Sequence, residues 1–92
     1  MSKRILFFGA DRCHPCNYME VVVDQIGKTK DIDVHKYDVV DPKGSKLASF
    51  LGVNAIPYTI VADSEDEGSV TQGDVKGRAI GLVQKKDITK YI

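Results

Sequence analysis

The sequence predicts an α/β domain, a small mixed four-stranded sheet flanked by three helices, with its elements in the order βαβα and then ββα. Three observations carry that prediction. A short continuous apolar run, "KRILFFG" (3–9), is followed by a helical stripe that begins near Cys13. A β-branched stretch, "IDVHKYDVV" (32–40), is followed by a proline-led helical segment. Two further β-type stretches, with an acidic turn between them, precede a short apolar-faced helix.

Each element has its own warrant. The run at 3–9 has the continuous hydrophobicity of a central strand covered on both faces. From Cys13 to Ile26, Cys16, Met19, Val23 and Ile26 fall on one helical stripe with Val22 beside them, and Gly27 is the expected stop. The 32–40 stretch is half alternating and β-branched, which suits a second strand. Pro42 opens a short helix in which Leu47, Phe50 and Leu51 are expected to face inward, and Gly52 closes it. "PYTIVA" (57–62) is a strand that begins at a proline, one of the few sheet positions proline can occupy. "DSEDEG" (63–68) is an acidic turn. "SVTQGDVKGRAIG" (69–81) reads as one or two strands, with the hairpin turning either at 64–68 or at "QGDV". In "QKKDITKYI" (84–92), Ile88, Tyr91 and Ile92 recur at spacings of three and four, as a helix face requires.

The first two strands should pair in parallel through a right-handed crossover, and the last two should form an antiparallel hairpin. With 92 residues, no repeat and no linker-like tract, the expectation is a single domain spanning 1–92. The formal net charge is zero, so neither nucleic acid nor an anionic membrane surface would meet a strong basic field. No apolar run approaches the roughly 20 residues of a membrane span. The apolar run behind Lys3 and Arg4 is also shorter than the roughly 7–15 residues of a secretory core. The expected location is therefore a reducing cytoplasm, where a cysteine pair is a metal ligand or a catalyst more often than a staple.

Both cysteines lie in "ADRCHPCNYME" (10–20), just after the first strand and at the opening of the first helix. Residues three apart in a first helical turn lie on one side, within the ~4.4–6.8 Å Cα separation that a disulfide needs. Unsatisfied N–H groups and the helix dipole favour a thiolate on Cys13 and can lower its pKa. Arg12 and His14 push the same way. Pro15 fits the first turn, where its missing N–H costs no helix bond. Cys16 begins the buried stripe. This asymmetry makes Cys13 the attacking thiol and Cys16 the resolving one. Zinc would need about four ligands, and the chain offers two cysteines, with His14 between them and His35 on another strand. A structural bridge here would close a very small loop and gain little entropy. A redox pair is the favoured reading, with no metal and no bound cofactor beyond the reversible Cys13–Cys16 disulfide.

"ILFFGADRCHPC", the Pro57 of "GVNAIPYTIV" and the ending "QGDVKGRAIGLVQKKDITKYI" resemble thioredoxin across essentially the whole chain. In lacking the N-terminal strand and helix of full-length thioredoxins, the chain is similar to glutaredoxins and to short redoxins that serve ribonucleotide reductase. The resemblance implies a thioredoxin fold of the short form. It also implies a cis Ile56–Pro57 bond beside the disulfide, with Ile56 pairing its backbone with substrate. A groove loop at Ala79, Ile80 and Gly81 would complete the substrate site. The implied partners are disulfide-containing proteins, ribonucleotide reductase among them, and a thioredoxin reductase.

Several departures from thioredoxin are informative. Arg12 replaces a tryptophan, and Phe7 occupies the place of a buried aspartate that serves the second thiol. The dipeptide between the cysteines is His14-Pro15. His14 either raises the potential by stabilising the thiolate or, if exposed, leaves it little changed. Gly81 stands alone, followed by Leu82 and Val83, where glutaredoxins have a Gly-Gly and polar residues for glutathione. This favours a thioredoxin reductase as the electron source. A glutathione-dependent glutaredoxin and a non-enzymatic binding module of the same fold are the alternatives. An exposed active-site face serves transient partners, so a monomer is expected. The acidic 63–67 stretch reads as a solvated turn.

Overall fold

The computed structural model describes residues 3–92. Met1 and Ser2, the start of the expected 1–92 domain, lie outside the described residues. The elements are β1 (Lys3–Gly9), α1 (His14–Lys30), β2 (Asp33–Asp38), α2 (Pro42–Leu51), β3 (Tyr58–Asp63), β4 (Val75–Ile80) and α3 (Lys86–Thr89). The sheet order is β2-β1-β3-β4. β1 pairs with β2 in parallel, Phe7 opposite Lys36, and the other two pairings are antiparallel. The expected βαβα–ββα mixed sheet is the one observed.

The apolar run of β1 is explained by its place at the centre of the sheet. Ile5 and Phe7 point to one face, where they pack with Cys16, Met19, Val22, Val23 and Ile26 of α1 and with Ile88 of α3. Leu6 and Phe8 point to the other face, against Ala48 and Leu51 of α2 and Ile60 of β3. Alternation across a strand and two covered faces together require Ile5 to Phe8 to be apolar without a break. The one buried charge on the strand, Arg4, is 8% exposed. Its Nε and Nη2 donate to the Ser64 and Glu65 carbonyls at 3.0 and 2.9 Å, and its Nη1 lies 3.0 Å from His35 Nε2.

Four expectations need correction. Gly27 does not stop α1, which continues to Lys30 and ends at Asp31 in the left-handed region (φ 55°). Gly27 is instead a close approach, since a Cβ there would lie 2.6 Å from Val34 Cγ2 of β2. Aspartate tolerates the left-handed conformation well enough to take over the cap. Phe50 does not face inward. It is 57% exposed, while Ala48 and Leu51 fill the buried side of α2. The hairpin turns neither at 64–68 nor at "QGDV" alone. The whole 64–74 segment connects β3 to β4 through two short 3-10 turns, Glu67–Ser69 and Gln72–Asp74. The final helix is only Lys86–Thr89, although Tyr91 and Ile92 still pack on the core beside Ile88. Strand limits also shift, to Asp33–Asp38 and Tyr58–Asp63.

Candidate active site

The strand directions gather the candidate residues at one end of the sheet. β1 runs towards Gly9, and the cysteine loop follows it. β3 begins beside that end, with Tyr58 opposite Phe8, so Pro57 lies there too. β4 finishes there, with Ile80 opposite Tyr58. The Gly81 N–H donates to the Pro57 carbonyl at 2.8 Å and joins the two predicted substrate segments. The Ile56–Pro57 bond is cis, as the resemblance implied.

Cys13 and Cys16 form a disulfide with a Cα separation of 5.1 Å. Cys13 is the N-cap of α1, and its Sγ accepts the Cys16 N–H at 3.1 Å. A cap acceptor satisfies one of the orphan donors of a helix start, and here the acceptor is sulfur. Pro15 stands in the first turn, with its missing N–H among the donors that need no helix partner. Cys16 is 3% exposed, and Cys13 is half-buried. Arg12, His14 and Pro15 are exposed around the pair, as is Ile56 at the neighbouring segment. Pro57 and Ala79 are buried, Ile80 is exposed, and Gly81 adopts φ 78°.

Sequence reasoning missed two parts of this end of the molecule. A groove of about 820 Å³ runs beside the pair, walled by His14, Pro15, Tyr18, Leu82, Val83 and Lys86. Tyr18 and Leu82 are exposed apolar residues there. Their signal was an aromatic off the buried stripe of α1 and an apolar pair after the last strand. The second part is a polar cavity of about 320 Å³ on the other side of Cys16, lined in part by Glu20 and Lys36. Lys36 Nζ lies 2.9 Å from Asp24 Oδ2 and 3.2 Å from Glu20 Oε1. The Asp24 hydrogen bond, against some desolvation and with help from Glu20, raises the Lys36 pKa above its ordinary 10.5.

A raised lysine pKa fixes the sign of its pH dependence. The ion pair contributes in full below 10.5 and is lost as pH rises through the raised value. The groups are well exposed, so Lys36→Met should cost less than about 1 kcal/mol at neutral pH. Urea unfolding of variant and parent should converge at strongly alkaline pH.

Among the described residues no three His, Cys, Asp or Glu side chains gather to hold a metal ion. Among them, too, no helix is long and apolar enough to cross a membrane. What the site can do is thiol–disulfide exchange, with one sulfur at a helix start and the other behind it.

No family model matches the chain, and no curated protein does. Solved structures match over nearly its whole length. A mutant thioredoxin from Halobacterium salinarum superposes with a TM-score of 0.77 at 26% identity, covering 99% of this chain and 72% of that one. Thioredoxin 1 from Thermosipho africanus gives 0.76 at 22% identity, covering 96% and 88%. Thioredoxin NaTrxh from Nicotiana alata gives 0.73 at 29% identity, covering 97% and 69%. With that fold and a disulfide between Cys13 and Cys16 at the start of its first helix, the chain is a thioredoxin-like dithiol–disulfide oxidoreductase.

Proposed function

We propose that this chain reduces disulfides in other proteins, with Cys13 as the attacking thiolate and Cys16 as the resolving thiol. One observation carries the assignment. The Cys13 sulfur caps the helix and takes the Cys16 N–H at 3.1 Å, while Cys16 is buried behind it. A hydrogen bond to the charged form and the helix dipole both favour the Cys13 thiolate. Its greater exposure lets it reach a substrate first. Arg12, His14 and Pro15 surround the pair and tune its potential.

Ile56 and Pro57, with Ala79, Ile80 and Gly81, receive the substrate chain. The exposed Tyr18, Ile80 and Leu82 suit apolar residues flanking the target disulfide. The chain works as a single-domain monomer in the reducing cytoplasm, without a bound cofactor. Disulfide-bearing enzymes such as ribonucleotide reductase are substrates of the right class.

Electrons come from a thioredoxin reductase. The apolar Leu82 and Val83 after a lone Gly81 support this, because they offer no polar side chains to a glutathione backbone. The test supplies insulin disulfides with either thioredoxin reductase and NADPH or glutathione, glutathione reductase and NADPH. Turnover with the first system is expected, with a potential near the thioredoxin value of about −270 mV. Turnover with glutathione alone would replace the reductase by glutathione. A pair that never cycles between dithiol and disulfide would remove the catalytic reading.

A further inference from the structure

Cys16 must lose a proton before it can attack a mixed disulfide, because the thiolate is the nucleophile. Its surroundings restrict where that proton can go. The side chain is buried in a cluster with Phe7 and Met19. A Cβ built on Gly9 would lie 3.3 Å from both the Cys16 sulfur and the Phe7 ring, so ring and sulfur flank the same spot. Phe7 offers no acceptor. The polar side of Cys16 is the cavity of about 320 Å³, whose walls carry Asp11, Glu20, Lys36, Asp38 and Asp41. A water's share of liquid volume is about 30 Å³, so a cavity of this size has room for a short chain of them.

Four carboxylates share the cavity, and local structure separates them. Asp38 Oδ1 accepts the Val40 N–H at 2.8 Å. Asp11 and Asp41 are exposed on connecting turns. Glu20 stands on α1 four residues beyond Cys16, so both side chains rise from the same face of one helix. Its carboxylate is also held from across the cavity, by the Lys36 ammonium at 3.2 Å, which Asp24 anchors in turn at 2.9 Å.

We propose that Glu20, positioned by Lys36, accepts the Cys16 proton through water in this cavity. The inference rests on the reading of Cys16 as the resolving thiol. In the step, the Cys16 S–H proton passes to Glu20 and the thiolate attacks Cys13 Sγ. The Cys13–substrate S–S bond breaks as the Cys13–Cys16 bond forms. The substrate sulfur leaves with the electron pair and is protonated from Glu20 or solvent. Two cysteine thiols are oxidised and one substrate disulfide is reduced.

The test is a single-turnover reduction of a disulfide peptide, followed across the neutral pH range. Attack by Cys13 is measured separately in the Cys16→Ser background. Glu20→Gln should slow resolution by roughly tenfold to a hundredfold and change its pH profile, with the first attack unchanged. In Glu20→Ala, which opens the space the carboxylate fills, added formate or acetate should restore part of the rate. Lys36→Met should slow the same step by a smaller factor. Asp11→Asn, Asp38→Asn and Asp41→Asn should resolve at the parent rate. An unaltered rate and pH profile in Glu20→Gln would overturn the assignment, as would the loss appearing in one of the aspartate variants. If Cys13 makes no attack at all, the dithiol reading fails, and this inference with it.

Discussion

Cys13→Ser will lower disulfide reduction by on the order of a thousandfold or more, while Cys16→Ser will keep the first attack and stall as a mixed disulfide. The difference follows from where the two sulfurs sit. Serine at the N-cap still accepts the residue 16 N–H, so the helix start survives and the lost rate reports chemistry. Serine at position 16 leaves Cys13 capped, half-exposed and competent. Intact-mass spectrometry after mixing with a disulfide peptide should find the adduct on Cys13 in the Cys16→Ser protein. It should find none on Cys16 in the Cys13→Ser protein. An adduct on Cys16 alone would reverse the two roles.

Gly44→Ala will destabilise the fold by about 3 kcal/mol, although Gly→Ala inside a helix ordinarily stabilises by ~1 kcal/mol. Gly44 lies in the first turns of α2, on its buried side. A Cβ there would lie 2.0 Å from the Asp38 carbonyl oxygen and 2.8 Å from the carbonyl carbon. Both are backbone atoms at the end of β2, so no side chain can swing away. Relief requires α2 to move off the sheet, which opens the packing of Ala48 and Leu51 on Leu6 and Phe8. Thermal unfolding should fall by on the order of 15 °C. Gly73→Ala is the control, because its Cβ would meet nothing nearer than Thr71 Oγ1 at 3.7 Å. That variant should stay within about 0.5 kcal/mol of the parent. A Gly44→Ala protein as stable as the parent would overturn the close approach of α2 to the Asp38 backbone.

The sequence made the core legible where periodicity and burial agree. The β1 run is apolar because both faces are covered. The α1 stripe of Cys16, Met19, Val22, Val23 and Ile26 is the buried set observed. The cysteine pair could be placed at the strand–helix junction because punctuation and spacing are local signals. Signals failed where a residue's meaning depends on a distant neighbour. Gly27 looks like a stop until Val34 is seen packed against it. Phe50 looks like core until Ala48 and Leu51 are found filling the buried side of α2. The 64–74 connection contains strand-like residues, yet Arg4 at one end and the Gln72 bond to the Phe50 carbonyl at the other hold it as a strap of turns. The polar cavity was invisible for the same reason. Glu20 and Lys36 are ordinary surface charges in sequence, and only the β1–β2 register brings Lys36 beside Phe7, next to the helix that bears Glu20.

The antiparallel pairing of β1 with β3 has a consequence for how the molecule can be handled. Lys3 pairs with Asp63 at one pole, and Phe8 with Tyr58 at the other. The thiols, Pro57 and Gly81 occupy the second pole, so the acidic connection that starts at Ser64 emerges from the first. A tether, a tag or another protein could grip that connection and leave the sulfur-bearing pole facing outward. The chain thus has a handle and a working tip, set a strand's length apart.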